Sequence, residues 1–288
     1  EKEFDNIPQD GNGRTVVVVG AGVAGLTCAE MLGRRGFKPI VLEKTDKIGG
    51  QIQLADKPPK KEKLGWCFED MRVNAEKFGA EIHLNTEANE EVIKSFNPYA
   101  VVIATGAQAV RPRSIKGSDL ANVYTTTQIL SGEVVLKGKK VALIGSGMTG
   151  LETAEMLVDG DNKVTIVEMA DTLAPGTWFQ HLDDVVPKLD AKDTNYILSH
   201  RLVSIDEKGV TLEPVKLDKN KNVKATGKPA HFNFDVVVLS LGARPVNDLA
   251  KAIEGKFENT FVIGDAKKVG RIADATSQAY DVAIHKIK

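Results

Sequence analysis

The sequence predicts an α/β fold with two parallel sheets, and three observations support this prediction. First, the apolar run at residues 16–19 leads directly into a glycine-rich turn, a helix pattern and a second apolar run. Second, the same arrangement returns at residues 141–168, which align with residues 16–43 without a gap and match at 11 of 28 positions. Third, the other apolar runs alternate with helix patterns, as in a parallel sheet that carries helices on its faces.

The first glycine-rich turn, Gly20-x-Gly22-x-x-Gly25, has the spacing of a dinucleotide-binding turn. The first glycine permits the tight turn from strand to helix, the second lets a pyrophosphate approach the backbone, and the third lets helix and strand pack closely. The N–H groups at the start of the helix would then bind the phosphates. Glu43 ends the next strand, where a carboxylate accepts hydrogen bonds from an adenosine ribose. We therefore predict a Rossmann-like domain here; the alternative is a glycine run that only packs a helix.

The second glycine-rich turn, with Gly145, Gly147 and Gly150, repeats this pattern, and Glu168 takes the position of the ribose acid. A carboxylate there accepts from a free 2′-hydroxyl and repels a 2′-phosphate, so the sequence predicts NADH rather than NADPH. The alternative is that Glu168 only caps the end of a strand. Glu152, in the first turn of the helix, either reaches a nicotinamide amide or only complements the helix dipole.

Composition excludes several other classes of protein. With 38 Lys and Arg against 39 Asp and Glu, the net charge of −1 gives no broad basic field for a nucleic acid or an anionic membrane. No apolar run approaches the roughly 20 residues that span a bilayer. The two cysteines, Cys28 and Cys67, form no C-x-x-C pair, which excludes a disulfide framework and argues against a cysteine-bound iron–sulfur cluster within these 288 residues. We expect a cytoplasmic protein without nucleic-acid or membrane partners.

Several short motifs follow one another along the chain and lead to a resemblance. They are Glu43-Lys44, Gly49-Gly50-Gln51, Pro58-Pro59, residues 104–107 and Gly264-Asp265. Together they resemble the C-terminal half of the enoate reductase, 2,4-dienoyl-CoA reductase and trimethylamine dehydrogenase group, which are relatives of Old Yellow Enzyme. The resemblance runs from about Arg14 to the end of the sequence. It implies a glutathione reductase-like arrangement, in which the second Rossmann-like domain is inserted in the first.

In that group the first site holds FAD and the second holds NAD(P)H. The residues that the resemblance assigns to FAD are Gly20, Gly22, Gly25, Glu43, Lys44, Gly50, Gln51, Thr105, Gly106, Gly264 and Asp265. The residues expected at NADH are Gly145, Gly147, Gly150 and Glu168, with Glu152 beside them and Gly242 at the return crossing. Gly50 and Gln51 would lie along the flavin, and Asp265 near its ribityl and pyrophosphate groups. No catalytic side chain and no metal site is implied, because the cofactors supply the hydride chemistry.

The sequence also departs from full-length members of the group. Those carry an N-terminal FMN-binding barrel and a cysteine cluster for an iron–sulfur centre, and neither pattern occurs in these 288 residues. We therefore expect an NADH:FAD oxidoreductase module, a fragment or subunit that passes electrons to an FMN and iron–sulfur module in the same polypeptide or a separate subunit. Two alternatives stay open: a stand-alone NADH diaphorase, and a non-catalytic module that binds only an adenine nucleotide.

The expected domain limits place the FAD-binding domain at residues 1–112 and 236–288 and the NADH-binding domain at residues 113–235. The sequence also supports predictions for three further segments. Residues 57–61 are predicted as a solvated loop, or as a segment near the cofactor or the absent barrel. Trp178 and Phe179 form either a partner-binding surface or core packing, and residues 216–228 form a hairpin tip. Cys28 is expected in the core, and each of the five histidines is expected to be structural or exposed.

Overall fold

Two β-strands, each followed by a glycine turn and a helix, organise the computed structural model, which describes residues 7–288. The first six residues of the predicted FAD-binding domain therefore lie outside the described residues. The chain divides into two compact units. Unit 1 comprises the described residues up to Asp56, Glu62–Gln108 and Ala243–Lys288, and unit 2 comprises Lys57–Lys61 and Ala109–Gly242.

The helices and strands follow one another in the alternating order expected of an α/β chain. The strands are β1 (Thr15–Val19), β2 (Lys38–Leu42), β3 (Glu81–His83), β4 (Ala100–Ile103), β5 (Ala107–Ala109), β6 (Val123–Thr125), β7 (Lys140–Ile144), β8 (Lys163–Val167), β9 (Asn195–Ile197), β10 (His200–Asp206), β11 (Gly209–Leu217), β12 (Val223–Ala225), β13 (Ala230–Asn233), β14 (Val236–Leu239), β15 (Ala243–Pro245) and β16 (Thr260–Val262). The helices are α1 (Val23–Arg34), α2 (Ile52–Ala55), α3 (Leu64–Lys77), α4 (Glu90–Ser95), α5 (Thr126–Leu130), α6 (Met148–Asp159), α7 (Phe179–Asp190), α8 (Asp248–Ala252) and α9 (Ile272–Asp281), which continues as a π-helical turn over Val282–Lys286.

Unit 1 contains a five-stranded parallel sheet in the order β16-β4-β1-β2-β3. The central strand β1 is apolar on both faces, because packed elements cover both sides of such a sheet. Val16 and Val18 pack in the layer that contains α1 and α9, whereas Val17 and Val19 pack in the layer that contains Ile93 of α4. The glycine turn that follows β1 is therefore anchored to a strand whose four valines are all buried.

Unit 2 contains a second five-stranded parallel sheet, in the order β6-β14-β7-β8-β9, and an antiparallel sheet of β10, β11, β12 and β13. Successive residues of β7 point to opposite faces. Val141 and Leu143 pack with helix residues such as Leu151, while Ala142 and Ile144 pack with Val210 of the antiparallel sheet. Because β12 pairs with the end of β11, the hairpin predicted at residues 216–228 is confirmed.

A buried arginine joins two distant parts of unit 1. Arg35 is 2% exposed and donates to both carboxylate oxygens of Asp10. It also donates to the carbonyl oxygens of Ala283 and Ile287, which follow α9. A buried charge is tolerated when hydrogen bonds and an opposite charge replace the lost water, and Arg35 has both. The contact fixes the segment before β1 against the end of the chain.

The sequence predicted neither a membrane span nor a metal site, and it placed Cys28 in the core. Within residues 7–288, no helix combines the length and apolar character that crossing a membrane requires. In the same residues, no group of three or more His, Cys, Asp or Glu side chains is arranged to hold a metal ion. Cys28 is fully buried in the core of unit 1, as predicted, and this burial raises the pKa of its thiol to about 12.

Candidate functional site

The first glycine turn joins β1 to α1 in unit 1. Gly20 has a φ of 107°, and a Cβ on it would lie 2.4 Å from the carbonyl oxygen of Ala104. A Cβ on Gly25 would lie 1.9 Å from the carbonyl oxygen of Gly20, so helix and strand meet at a distance that only glycine allows. By contrast, a Cβ on Gly22 would meet no described atom within 4 Å. Gly22 therefore borders open space at the N-terminus of α1.

The N-terminus of α1 is suited to an anion. Gly22 is the N-cap residue, and no side chain in the described part of the chain caps the helix there. The first turn contains no acidic residue. The free N–H groups and the positive end of the helix dipole thus face the space beside Gly22, which is the arrangement that binds phosphates in dinucleotide-binding folds.

Glu43 is fixed against the glycine turn. The N–H of Ala21 donates to Glu43 Oε2 at 2.9 Å, and the N–H and hydroxyl of Thr45 donate to Oε1 at 2.9 and 2.8 Å. A carboxylate accepts about four hydrogen bonds, so Glu43 retains acceptor capacity for a hydroxyl group. Lys44 beside it is exposed.

The second glycine-containing segment of unit 1 lies directly on the first. The N–H of Gly49 donates to the carbonyl oxygen of Ala21 at 2.8 Å, and Gly49 forms a parallel β-bridge with Gly22. A Cβ on Gly50 would lie 3.3 Å from Cα of Gly22. The structure therefore brings together Gly22 and Gly50, which lie far apart in sequence.

Gln51 and Asp265 also meet in unit 1. Gln51 Nε2 donates to Asp265 Oδ2 at 3.2 Å and to the carbonyl oxygen of Ala107 at 3.3 Å. The N–H of Gly270 donates to Asp265 Oδ1 at 3.0 Å. A Cβ on Gly264 would lie 2.8 Å from Cβ of Ala24, so this segment packs on the first turn of α1. Most of the residues assigned to FAD thus converge on one end of α1.

Thr105 and Gly106 hold the chain after β4. The hydroxyl of Thr105 donates to the carbonyl oxygen of Val246, and the N–H of Val246 donates to the carbonyl oxygen of Gly106 at 2.9 Å. These bonds join the segment that leaves unit 1 to the segment that returns to it. Among the described residues, no hydrogen bond joins Thr105 or Gly106 to Glu43.

The glycine turn of unit 2 repeats the geometry of the first. Gly145 has a φ of 100°, and a Cβ on it would lie 2.4 Å from the carbonyl oxygen of Ser240. A Cβ on Gly150 would lie 2.3 Å from the carbonyl oxygen of Gly145. Gly147 is the N-cap of α6, and a Cβ on it would again meet no described atom within 4 Å. Gly242 lies two residues beyond Ser240, and its carbonyl oxygen accepts from the N–H of Val110 at 2.9 Å.

Glu168 is tied to this second turn through Ser146, a residue that the sequence analysis did not select. Ser146 is fully buried, and both its N–H and its hydroxyl donate to Glu168 Oε2, at 2.9 and 2.7 Å. The N–H of Ala170 donates to Oε1 at 2.9 Å. The Ser146 hydroxyl also accepts from the N–H of Ala174 at 2.8 Å. The sequence did contain a sign of this role: Ser146 is a polar residue between two motif glycines, whereas the first repeat has Ala21 at the corresponding position.

The prediction that Glu152 lies in the first turn of the helix was wrong: the first turn of α6 contains no acidic residue, and Glu152 lies in the second turn, 7% exposed. Its carboxylate forms an ion pair with Lys61, and His181 Nε2 lies 3.7 Å from Glu152 Oε1. The prediction that residues 57–61 form a solvated loop was wrong for Lys61, which packs within unit 2 and pairs with a buried acid. Burial of an acid is tolerated here because a cation neutralises it.

Exposed apolar side chains occur near the same turn. Trp178 and Phe179, at the start of α7, are 62% and 65% exposed, so the core-packing alternative for these two residues was wrong. Met148 begins α6 and Met169 follows Glu168, and both are also exposed.

Comparison with known proteins agrees with two dinucleotide turns in one chain. The sequence matches the pyridine nucleotide-disulphide oxidoreductase family over residues 14–271. The chain belongs to this family. It is 33% identical over 290 residues to an NADH oxidase from Thermoanaerobacter brockii, an alignment that covers 98% of this chain and 42% of the oxidase. A cinnamate reductase from Clostridium sporogenes is 32% identical over 278 residues, covering 94% of this chain and 39% of the reductase.

A solved structure of 2-naphthoyl-CoA reductase with 2-naphthoyl-CoA is also similar, with 27% identity and a TM-score of 0.86. The match covers 97% of this chain and 41% of that chain. This member of the pyridine nucleotide-disulphide oxidoreductase family thus spans about two fifths of the length of these three relatives. The predicted fold class is confirmed, as is the resemblance to the C-terminal flavin-binding half of the enoate and dienoyl reductases.

The family to which the chain belongs is one of flavin-dependent oxidoreductases, and membership implies FAD and NADH as cofactors. The residues present fit such groups. Each unit has one glycine turn with open space beside the helix N-terminus, at Gly22 and at Gly147, and one acid fixed beside it, Glu43 and Glu168. When bound, the flavin supplies the acceptor for a hydride from reduced nicotinamide.

Proposed function

We propose that this chain is an NADH:FAD oxidoreductase module that holds FAD in unit 1 and NADH in unit 2. Its own residues bind and orient the two cofactors, and the hydride passes from NADH to FAD. The electrons then continue to an FMN and iron–sulfur module, which belongs to the same polypeptide or to a separate subunit. The domain limits expected from the sequence, residues 1–112 with 236–288 and residues 113–235, stay a prediction; the two units differ from them, since β14 lies in the parallel sheet of unit 2.

One observation carries the proposal. In each unit the N–H between the first two motif glycines donates to the acid that ends the second strand, from Ala21 to Glu43 and from Ser146 to Glu168. Each acid is therefore held next to a helix N-terminus, where a ribose and a pyrophosphate can be bound together. Two such pockets in one chain support two dinucleotides rather than one.

The assignment of FAD to unit 1 rests on further contacts. Gly50 adjoins Gly22, and Gln51 donates to Asp265, so these residues line the space that extends beyond the N-terminus of α1. Unit 2 has a different feature, the buried Glu152 with its partner Lys61. We assign Glu152 to the nicotinamide side of the NADH site. The alternative is that Glu152 only complements the helix dipole, and the variants of Lys61 and Glu152 described in the Discussion distinguish the two roles.

The partner module is supported by the lengths of the relatives. The NADH oxidase and the cinnamate reductase each extend well beyond the region that they share with this chain. The two thiols of the chain are free, which agrees with the reducing cytoplasm proposed as its location.

The visible spectrum of the 288-residue chain with added FAD, before and after anaerobic NADH, tests the proposal. We expect a protein-bound flavin band that NADH bleaches. Stoichiometric binding of ADP without FAD would instead identify a nucleotide-binding structural module. Bound FAD that NADH does not bleach, although dithionite does, would contradict the assignment of NADH to unit 2.

The electron acceptor needs a second measurement. If the chain serves a partner module, the reduced flavin should be reoxidised slowly by quinones and by oxygen. Rapid steady-state oxidation of NADH with either acceptor would favour the stand-alone diaphorase.

A further inference from the structure

The hairpin at residues 216–228 concentrates positive charge on unit 2; we call it the lysine hairpin. It contains five lysines and a single acid, Asp218. The lysines are Lys216, Lys219, Lys221, Lys224 and Lys228, and all five are exposed. Within residues 7–288, none of them has a carboxylate at ion-pair distance. Among the described residues, the charge of these lysines is therefore not compensated by ion pairs.

The lysine hairpin holds like charges close together, although their repulsion destabilises the pairing of its strands. Lys216 lies directly opposite Lys224 in the antiparallel pairing of β11 and β12, and like charges in that position destabilise a sheet. The turn between the strands is nevertheless ordered by Asp218, which accepts from the N–H groups of Asn220 and Asn222 at 2.8 and 2.9 Å. Hydrogen bonds from Asn222 also lower the pKa of the Asp218 carboxyl. The backbone of the turn that carries the lysines is thus ordered.

A ladder of backbone hydrogen bonds connects the base of the lysine hairpin to the candidate ribose acid. The N–H of Val215 donates to the carbonyl oxygen of Ser199 at 2.7 Å. The N–H of Ser199 in turn donates to the carbonyl oxygen of Ala170 at 2.8 Å. The N–H of His200 donates to the carbonyl oxygen of Glu168 at 3.0 Å. The hairpin belongs to the antiparallel sheet of unit 2, and these bonds place its base next to the carboxyl end of β8, where Glu168 lies.

We propose that the lysine hairpin attracts the phosphates of the nicotinamide dinucleotide and guides it toward Glu168. This inference rests on the proposed binding of NADH in unit 2. Coulomb attraction between exposed charges acts over about 10 Å at moderate ionic strength, so the lysines need not touch the bound ligand. The attraction raises the rate of encounter, and it grows with the negative charge of the ligand.

An acidic protein is a second class of ligand for such a surface. The position of the hairpin favours the dinucleotide, because its base is joined to Ala170 and hence to the ribose acid. An effect confined to an acidic electron carrier is treated below as a contrary result.

The test replaces four lysines of the hairpin by glutamine, at Lys216, Lys219, Lys221 and Lys224. A matched control replaces four exposed lysines at the opposite edge of the parallel sheet, Lys137, Lys139, Lys140 and Lys163. The control removes the same charge and also contains a like-charged cross-strand pair, Lys140 opposite Lys163. Stopped-flow measurement of NADH fluorescence gives the association rate constant directly, and bleaching of bound FAD gives an independent readout.

We expect the association rate constant for NADH to fall about 3- to 10-fold in the hairpin variant at low ionic strength. The difference should shrink to less than about 2-fold near 0.5 M salt, because salt screens the attraction. NADPH, which carries more negative charge, should lose more than NADH. The control variant should behave like the wild type.

Three results would overturn the inference. They are an unchanged rate constant, a decrease that persists at high salt, and a decrease that appears only in electron transfer to an acidic flavodoxin. Failure of the proposed function looks different: wild-type protein would then show no NADH association at all, or association that Glu168→Gln leaves unaffected.

Discussion

Ser146 donates two hydrogen bonds to the same carboxylate oxygen of Glu168, from its N–H at 2.9 Å and from its hydroxyl at 2.7 Å. The hydroxyl in turn accepts from the N–H of Ala174. In the first repeat, Ala21 makes only the backbone contact with Glu43, and Thr45 supplies the hydroxyl. The two acids are therefore fixed in the same place by different partners, and each can be loosened separately.

Ser146→Ala should weaken NADH binding without affecting FAD. The substitution removes one donor to Glu168 and leaves the buried N–H of Ala174 without its acceptor, at a cost of about 1–2 kcal/mol. If half of this cost falls on the position of Glu168, the dissociation constant for NADH rises about 2- to 5-fold. Fluorescence titration with NADH measures the change. An effect on FAD retention of equal size would show that the substitution disturbs the fold as a whole.

Glu168→Arg should reverse the preference between the nicotinamide cofactors. The carboxylate accepts from a 2′-hydroxyl and repels a 2′-phosphate, whereas arginine attracts the phosphate. We expect the ratio of kcat/KM for NADH to that for NADPH to fall by about 10-fold or more. Glu43→Gln is the matched control, because it alters the corresponding acid of unit 1 and should lower FAD affinity instead. Unchanged discrimination in Glu168→Arg would remove this residue from the ribose site.

Gly22→Val and Gly147→Val should separate the two cofactor sites. Both glycines have negative φ, −82° and −55°, and a Cβ on either would meet no described atom within 4 Å, so an added side chain starts in open space. The side chain would instead occupy the space proposed for a pyrophosphate. Gly22→Val should therefore lose FAD, whereas Gly147→Val should retain FAD that dithionite bleaches and NADH does not.

The thermal transition of each glycine variant provides the control. It should stay within about 4 °C of the wild type, since the Cβ meets no described atom within 4 Å and the substitution costs only a favourable N-cap residue. If Gly147→Val still reduces its flavin with NADH at the normal rate, the second glycine turn does not bind the pyrophosphate.

Much of the fold followed from the sequence because the signals were local. Residues 16–19 and Gly20 specify a buried strand and a tight turn within a few positions, and the repeat at residues 141–168 doubles that signal. The acids that end β2 and β8 were also selected from spacing alone.

What the sequence did not reveal depends on distant contacts. Lys61 lies among other lysines in a polar stretch, and only the folded chain places it on Glu152, far along the sequence. Ser146 was overlooked for a different reason, since its role is to hold Glu168 rather than to contact a ligand. Likewise, nothing local indicates that the hairpin at residues 216–228 begins beside Ala170.

Lys61→Met and Glu152→Gln should weaken NADH binding to a similar extent and without additivity. Lys61 is expected to act through Glu152 by holding its carboxylate in place, so the double variant should resemble either single variant. We expect each to raise the dissociation constant about 3-fold. If Glu152 only complements the dipole of α6, both variants would lower the thermal transition and leave NADH binding unchanged.

Asp10→Asn should destabilise unit 1 and remove an acid-dependent part of its stability. The hydrogen bond from Arg35, with the guanidinium charge, lowers the pKa of the Asp10 carboxyl below its ordinary value of 3.8. A lowered folded-state pKa contributes stability that is complete above the unfolded value and is lost as the pH falls toward the folded value. Protonation of Asp10 should therefore lower the stability of the wild type below about pH 4. The variant should lack that part of the decline, and its thermal transition at neutral pH should be lower than that of the wild type.

The expected decrease for Asp10→Asn at pH 7 is about 3–8 °C, because the guanidinium of Arg35 stays buried without its counter-charge. Asp184→Asn is the matched control. The hydrogen bond from Lys188 likewise lowers the pKa of Asp184, but this pair lies on the surface and contributes little. Calorimetry of both variants between pH 3 and pH 7 measures the difference, and equal transitions in the two variants would show that Arg35 does not depend on Asp10.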